Sequence, residues 1–313
     1  DAERVTGAKP ELIRVEEEQR HSAYWLRNAE ISKAGRYEVT AATATEKVTV
    51  VWNVYDAPER KARNVILFVG DGLSVAHRTA ARILSKGISE GKYHGTLAID
   101  DMPNMALVST AGTDSVITDS ANAMSAYTTG HKTCVNAIGV YCARNVNPTA
   151  HPRVETLSTL AQRRHGMAVG VVTNSELTDA TPAGMVAHTR RRNEMNDIVR
   201  MFYQVKPDVM LGGGAAYFIP RGAGSKRNHN QASLVNFKND GYAYADTATA
   251  LKSAAGDPEA RKLLGLFNAE NIDGALDLKY LKKGTVPQYP DQPDLVEQTR
   301  AALAVLARNP NGF

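Results

Sequence analysis

A serine and its neighbours, Thr118-Asp119-Ser120-Ala121, are the first residues of this chain that could carry out covalent chemistry. Ser120 stands just before a run of good helix formers, so we expect it at a helix N-terminus, where free backbone N–H groups and the helix dipole favour a phosphate oxyanion. The same pattern fits a plain helix cap made by Asp119 or Ser120. No His and Asp partners for a Ser-His-Asp triad can be identified by spacing, so a metal ion would have to activate this serine.

A single carboxylate, Asp71, stands between Gly70 and Gly72 directly after the apolar run 65–69. Glycines let the backbone turn sharply and approach a ligand, and a carboxylate at that point suits a hard cation. An ordinary Gly-Asp-Gly turn without a ligand is the alternative. Asp71 is therefore a candidate metal ligand.

Two oxygen-bearing side chains, Asp179 and Thr181, follow the apolar run 167–173 and lie two residues apart. A carboxylate and a hydroxyl suit magnesium, which prefers oxygen ligands. Three arginines then occur at 190–192. For Arg190 and Arg191 we expect a solvated charge run, whereas one guanidinium turned inward would grip a phosphate with two parallel hydrogen bonds.

The elements that would position these residues alternate along the chain. Apolar runs typical of buried strands are followed by amphipathic or well-capped helices. The predicted strands are 65–69, 106–110, 167–173 and 208–211, and the predicted helices are 75–86, the segment after Ser120, 154–164, 193–204 and 293–308. This alternation predicts an α/β fold with a central, mostly parallel sheet flanked by helices. Because ligands bind beyond the carboxyl ends of the strands in such sheets, we expect Asp71 and Asp179 at one edge.

The first 62 residues differ from the rest and predict an N-terminal extension made of a helix plus short strands. Residues 11–35 are typical of a polar helix, and 37–54 carry β-branched residues with partial alternation, which is typical of strands. Residues 63–313 then form the predicted catalytic domain. Between about 215 and 290 the pattern is too weak to assign elements.

Composition excludes several classes of protein. Of the 313 residues 43% are hydrophobic, the formal net charge is only +4, and no long apolar stretch is present. These values argue against a nucleic-acid-binding protein and against a transmembrane segment. The two cysteines, Cys134 and Cys142, are either free thiols or a short disulfide, which would imply an oxidising compartment.

Taken together, these motifs resemble the alkaline phosphatase family over nearly the whole chain. The strongest matches are the strand ending in Gly-Asp-Gly, the Thr-Asp-Ser-Ala motif, and the segment from Asp179 to Arg192 that contains Asp-Ala-Thr-Pro-Ala and Ala-His. Asp-Val-Met-Leu-Gly-Gly-Gly at 208–214, Leu-Gly-Leu-Phe at 264–267 and the closing segment 307–313 add support.

The resemblance implies a role for each matched residue. Ser120 would be the nucleophile that forms a phosphoserine intermediate and would also contact a zinc ion. Asp71 would bridge a zinc and the magnesium site, Thr181 would bind magnesium directly, and Asp179 would stand just outside its direct ligands. Arg192 would bind the substrate phosphate, and Asp119 would orient that arginine.

The resemblance also implies two zinc ions and one magnesium ion, a homodimer, a periplasmic or secreted location, and a disulfide between Cys134 and Cys142. The family's remaining zinc ligands are Asp, His and Glu residues that begin after the position of Phe313, and none of the eight histidines here lies after His229. We therefore expect the domain 63–313 to be incomplete at its C-terminal end. Its remainder, in the same or a separate polypeptide, would be a partner of this chain.

Three alternatives stay open. A phosphodiesterase or sulfatase of the same superfamily would share the scaffold, although such enzymes tend to carry Thr or a modified Cys as nucleophile and to lack the arginine that grips a monoester. An inactive secreted fragment that only binds phosphate or metal is the third. Ser120 together with Arg192 favours the phosphate monoesterase.

Overall fold

The computed structural model describes residues 2–15, 21–25, 30–56, 59–222, 224–229 and 233–313. Contacts within the chain divide it into two units: residues 1–63 with 144–146, and residues 64–143 with 147–313. All the predicted site residues lie in the second unit. Among the described helices, none is both long enough and apolar enough to cross a membrane.

Among its described residues, the first unit contains one short helix and two antiparallel strand pairs. These elements are α1 Ala2–Thr6, β1 Glu11–Val15, β2 His21–Trp25, β3 Gly35–Ala42 and β4 Lys47–Val54. In the β3–β4 pair, Tyr37 lies opposite Trp52 and the Thr40 and Thr49 hydroxyls are 2.8 Å apart on the other face. Strands at 37–54 are therefore confirmed.

The helix predicted at 11–35 is wrong. Glu11–Val15 pairs antiparallel with His21–Trp25, so backbone hydrogen bonds between strands replace those within a helix. Residues 16–20 and 26–29 of that prediction lie outside the described residues. The polar composition of this segment does not distinguish a solvated helix from an exposed hairpin, because neither buries a continuous face.

The second unit contains the remaining helices and strands. Its helices are α2 Val75–Lys86, α3 Ser120–Thr129, α4 Leu157–His165, α5 Ala180–Ala183, α6 Met195–Val205, α7 Leu234–Asn239, α8 Ala248–Gly256 and α9 Leu295–Leu306. Its strands are β5 Ile88–Ser89, β6 Lys92–Tyr93, β7 Gly170–Glu176, β8 Val209–Gly213, β9 Ala243–Ala245 and β10 Leu263–Leu266. A 3₁₀ turn at Ala215–Tyr217 and a π-helical turn at Asp277–Leu281 complete them.

Four parallel strands form the sheet at the centre of this unit, in the order β7-β8-β10-β9. Successive side chains of β8 point to opposite faces. Met210 packs in a core with Ile198 and Phe202 of α6, whereas Val209 and Leu211 pack in a second core with helices α8 and α9. The sheet thus has helices on both faces, which confirms the predicted α/β fold.

The predicted strands 65–69 and 106–110 are not strands in the structure. Val65 N donates to Phe313 O at 2.8 Å, but the side chains of 65–69 are 37% to 74% exposed, and Leu107 is 99% exposed. Both segments are hydrophobic enough for a buried strand, yet a strand also needs a neighbour to satisfy its backbone groups. Among the described residues, no such neighbour pairs with either segment.

Candidate active site

Ser120 is the first residue of α3, and Asp119 is the residue that caps this helix. Asp119 Oδ1 accepts hydrogen bonds from Ala121 N at 2.7 Å and from Asn122 N at 3.2 Å. Asp119 N donates in return to Asn122 Oδ1 at 3.0 Å. This reciprocal cap satisfies N–H groups of the first turn, so an anion beside Ser120 would depend on side chains and on the helix dipole.

Asp179 caps a second, shorter helix. It follows the carboxyl end of β7, and its Oδ1 accepts a hydrogen bond from Ala180 N, the first residue of α5, at 2.8 Å. Thr181 is the next residue of the same helix. The two predicted metal-site residues of this segment therefore stand at the edge of the sheet where ligands bind in α/β proteins.

Arg192 brings the two capped helices together. Its Nη1 donates to Ser120 Oγ at 2.8 Å, and its Nη2 donates to Asp179 Oδ1 at 2.6 Å. Asp119 Oδ2 lies farther away, 3.9 Å from Nη1. The guanidinium is partly buried, with 24% of its side chain exposed. In this structure Asp179, rather than Asp119, is the carboxylate that directly contacts Arg192.

Asp71 meets Thr181 although 110 residues separate them in sequence. Thr181 Oγ1 donates to Asp71 Oδ2 at 2.7 Å. Asp71 lies in a tight turn in which Leu73 N donates to Gly70 O at 3.2 Å and Gly72 has a φ of +65°. Glycine takes that conformation without steric cost, so the Gly-Asp-Gly motif presents Asp71 on a turn.

The donor atoms of Asp71 and Thr181 fit a magnesium ion. Adjacent oxygens of an octahedral magnesium shell with bonds of about 2.1 Å lie about 3 Å apart, and these two oxygens are 2.7 Å apart. Asp179, two residues before Thr181, adds a carboxylate to the same edge. The structure brings Asp71 and Thr181 into contact, and their role as metal ligands stays a prediction.

Zinc fits less well, because zinc sites in proteins usually contain His or Cys as well as carboxylate ligands. Within the part of the chain that the structure describes, no three His, Cys, Asp or Glu side chains are grouped closely enough to hold a metal ion. The described residues therefore do not make up either of the two predicted zinc sites.

Glu176 is a carboxyl group whose surroundings disfavour its charged form. Burial raises the pKa of Glu176, at the end of β7, against the opposing charge of Lys226, while the carboxylates of Glu270 and Asp179 raise it further. Burial is the largest cause of the shift, and Lys226, which forms an ion pair with Glu270, offsets part of the effect of the neighbouring carboxylates.

The two cysteines form a disulfide, which confirms the predicted pairing. The Cα atoms of Cys134 and Cys142 are 6.2 Å apart, within the usual range for such a bridge. Cys134 is buried in a small apolar cluster with Ala137 and Val140. The bridge closes a short loop that leads away from the C-terminal end of α3.

The three arginines at 190–192 do not form a uniform charge run. Arg191 is exposed, as predicted. Arg190, expected to be solvated, is partly buried and its Nη1 donates to Val135 O at 2.9 Å. The prediction for Arg190 was wrong because Thr189 pairs with Ile138. This pairing places the adjacent Arg190 beside the loop that follows Cys134.

Asn136 is the site residue that the sequence did not reveal. Its N–H donates to Asp119 Oδ2 at 3.1 Å, and its carbonyl accepts from Arg192 N at 2.9 Å. Its φ is +67°, a conformation that Asn adopts more readily than most residues. Asn in a short loop could have suggested a turn, but no sequence pattern indicates what its backbone would contact.

Comparison with known proteins identifies relatives of this chain. A sequence profile of the family described as alkaline phosphatase matches residues 62–313. An alkaline phosphatase of Gadus morhua is 32% identical over 290 residues, which cover 82% of this chain and 58% of the relative. The chain therefore spans a little over half the length of that curated relative.

Two solved structures resemble the chain in three dimensions. The alkaline phosphatase of Thermus thermophilus gives a TM-score of 0.65 at 26% identity, covering 82% of this chain and 49% of that one. A mutant of the alkaline phosphatase from the Antarctic bacterium TAB5, described with magnesium bound in its M3 site, gives a TM-score of 0.62 at 26% identity. That match covers 80% of this chain and 62% of the other.

Proposed function

This chain belongs to the alkaline phosphatase family, and from that premise we propose that it hydrolyses phosphate monoesters with Ser120 as the nucleophile. One observation carries the proposal: Arg192 Nη1 donates to Ser120 Oγ at 2.8 Å, at the N-terminus of α3. A planar cation that can bind two phosphate oxygens at once thus stands beside a hydroxyl that can attack phosphorus. The positive charge also favours negative charge on Ser120 Oγ.

When substrate binds, Arg192 would exchange its hydrogen bonds to Ser120 and Asp179 for hydrogen bonds to the phosphoryl group. In the structure, the two guanidinium donors are occupied by Ser120 and Asp179. A phosphoryl group entering beside Ser120 would offer two oxygens to the same donors. Arg192 would then hold the oxygens on which charge is spread in the transition state. Ser120 Oγ would lose its proton to solvent and bond to phosphorus as the phosphorus–oxygen bond to the leaving group breaks, and the departing alkoxide would take up a proton from water. Water would later attack the phosphoserine, releasing inorganic phosphate and restoring the Ser120 hydroxyl.

Asp119 would orient Arg192 indirectly and fix the nucleophile. Its Oδ1 caps the helix that begins with Ser120, and its Oδ2 is 3.9 Å from Arg192 Nη1. A change of position at this carboxylate would therefore move both groups. Asp119 is a positioning residue in this proposal, and Ser120 and Arg192 are the residues that contact substrate.

We propose that Asp71 and Thr181 bind the magnesium ion and that Asp179 stands just outside its direct ligands, which is supported by the oxygen donor set and by the magnesium described in the TAB5 relative. A divalent cation there would supply positive charge beside the reacting phosphate. The two zinc ions, with Asp71 and Ser120 among their ligands, stay a proposal from the family resemblance. We propose that their other ligands come from the remainder of the polypeptide.

A periplasmic or secreted location is supported by the disulfide, because such bridges persist mainly in oxidising compartments. A homodimer is proposed from the family resemblance alone. Sedimentation of the purified protein would test the dimer, and fractionation of the source cells would test the location.

The decisive assay compares three substrates that share one leaving group: a nitrophenyl phosphate monoester, the corresponding diester and the sulfate ester, with zinc and magnesium supplied. We expect the monoester to be hydrolysed fastest, and Ser120→Ala to abolish that preference along with turnover. Faster hydrolysis of the diester or sulfate would favour the phosphodiesterase or sulfatase. Phosphate binding without any turnover would favour the inactive binding fragment.

A further inference from the structure

A closed ring of contacts connects the candidate nucleophile to the candidate phosphate-binding arginine. The helix that begins with Ser120 is capped by Asp119 Oδ1, and Asp119 Oδ2 accepts a hydrogen bond from Asn136 N at 3.1 Å. Asn136 O accepts a hydrogen bond from Arg192 N at 2.9 Å. Arg192 Nη1 then returns to Ser120 Oγ at 2.8 Å. Asn136 is the member of this ring that acts only through its backbone.

The backbone of Asn136 can make both contacts because of its conformation. With φ at +67°, its N–H and carbonyl point to two different elements, Asp119 and Arg192. An L-residue in this region pays a steric cost of about 1–2 kcal/mol, which Asn and Gly largely avoid. A β-branched residue would have to strain the turn or abandon it.

The turn around Asn136 is fixed from both sides. Val135 N donates to Asp114 Oδ1 at 2.9 Å, and Val135 O accepts from Arg190 Nη1 at 2.9 Å. The disulfide to Cys142 begins one residue earlier, at Cys134. On the other side, Ile138 N donates to Thr189 O at 2.8 Å and Thr189 N to Ile138 O at 2.9 Å. The strand-like segment that carries Arg192 is therefore paired with the segment that carries Asn136.

We propose that Asn136 is a positioning residue for phosphate binding: its left-handed backbone, held in the disulfide-closed loop, sets the position of Arg192 relative to Asp119 and Ser120. This inference rests on the proposed function, since it assumes that Arg192 binds phosphate. It assigns no chemical role to the Asn136 side chain. Any residue that accepts a positive φ should support the site, and any that resists it should displace the arginine.

The test compares Asn136→Val with Asn136→Gly, which accepts the positive φ and keeps both backbone hydrogen bonds. Asn136→Ala is a milder version should the valine variant fold poorly. Glu90→Val is the control for general strain, because Glu90 also has a positive φ, of +49°, but is exposed in the turn between β5 and β6. Binding of inorganic phosphate to the intact protein, supplied with zinc and magnesium, is measured by calorimetry. Hydrogen exchange of the Arg192 amide is measured by NMR.

We expect Asn136→Val to bind phosphate about 5- to 30-fold more weakly than the parent chain, the ratio that corresponds to the conformational cost. Its Arg192 amide should exchange faster, because Asn136 O no longer accepts its proton. Asn136→Ala should change both quantities in the same direction but less, and Asn136→Gly and Glu90→Val should change neither. In turnover, KM should rise more than kcat falls, since Arg192 holds phosphate in both the ground and transition states.

Equal weakening by Asn136→Gly and Asn136→Val would overturn the inference, because the side chain would then be responsible. So would unchanged Arg192 exchange in Asn136→Val. If the parent chain bound no phosphate at all, the proposed function would fail, while the exchange rate of the Arg192 amide would still decide whether Asn136 positions it.

Discussion

Arg192 Nη1 and Ser120 Oγ are 2.8 Å apart, so the residue proposed to bind phosphate directly contacts the residue proposed to attack it. They come from segments 72 residues apart in the chain. The contact exists because each lies beside a carboxylate: Asp119 caps the helix of Ser120, and Asp179 binds the second guanidinium donor. Phosphate would bind where these groups converge.

Replacing Arg192 should weaken phosphate binding far more than replacing its neighbour. Hydrogen bonds to charged groups contribute about 1.5–3 kcal/mol each, and the loss of even one such bond to phosphate corresponds to about 10-fold or more, so we expect Arg192→Ala to bind inorganic phosphate at least about 10-fold more weakly. Arg191→Ala is the matched control, since Arg191 is exposed. Inhibition of turnover by phosphate measures the phosphate affinity of both variants. An equal loss of affinity in Arg192→Ala and Arg191→Ala would favour the interpretation of 190–192 as a solvated charge run.

Arg190→Ala should differ in its effects from both Arg192→Ala and Arg191→Ala, because it should lower the stability of the fold more than the affinity for phosphate. Its guanidinium donates to Val135 O, so its loss should loosen the loop that follows Cys134. We expect a lower melting temperature with a smaller loss of phosphate affinity than Arg192→Ala. A thermal melt indistinguishable from that of Arg191→Ala would show that the Val135 contact contributes nothing.

Magnesium binding should depend on the hydroxyl of Thr181. Thr181→Val has nearly the same shape but removes an oxygen donor beside Asp71 Oδ2, whereas Thr181→Ser keeps the hydroxyl. We expect the valine variant to lose magnesium affinity in a calorimetric titration and the serine variant to retain it. Equal affinities in all three proteins would place the magnesium site elsewhere.

The disulfide should be complete and should stabilise the fold modestly. Titration of the denatured, unreduced protein should find no free thiol. In the chain-entropy model, closing a loop with a sequence separation of 8 contributes about 2–3 kcal/mol. Cys134→Ser combined with Cys142→Ser should lower the free energy of unfolding by a similar amount. Two free thiols in the parent protein would rule the bridge out.

His188 should make stability depend on pH. Burial lowers its pKa below the ordinary value of 6.5, the carbonyl of Gly139 opposes this shift, and the charge of Arg153 adds to it. Its Nδ1 lies 2.7 Å from Gly139 O. The folded state binds the His188 proton more weakly than the unfolded state. The stability that the neutral, buried His188 contributes to the fold is therefore fully present above about pH 6.5 and is lost as pH falls below it.

The measurement is the free energy of unfolding at pH 7.5 and at pH 5.5 for the parent protein and for His188→Gln. We expect the parent protein to lose more stability on acidification than the variant, which has no imidazole to protonate. An identical loss in both would mean that other groups account for the pH dependence.

Local patterns were enough to predict several elements of the fold, among them the helix that begins with Ser120. The helix after Asp119 and the helix after Asp294 follow from their caps, and both occur at the expected places. The strand β8 follows from the apolar run that ends in three glycines. These signals are local, so one sequence suffices to find them.

Elements whose stability depends on distant partners could not be predicted in the same way. The run 65–69 is as apolar as β8, and β8 lies between β7 and β10. Within the part of the chain that the structure describes, 65–69 pairs with no strand and Val65 N donates to Phe313 O. The strands β9 and β10 are only three and four residues long and occur where the pattern was too weak to assign. Asn136 likewise contacts Asp119 and Arg192 through its backbone, and such contacts cannot be predicted from the type of residue at that position.

The central claim, that Ser120 is the nucleophile, is tested most directly by locating the phosphoenzyme. The purified protein, supplied with zinc and magnesium, is incubated with radiolabelled phosphate, quenched in acid and digested, and the labelled peptide is sequenced by mass spectrometry. We predict one labelled site, at Ser120, with no label in Ser120→Ala even though that variant keeps the parent melting temperature. Label at any other residue, or undiminished label in Ser120→Ala, would contradict the claim.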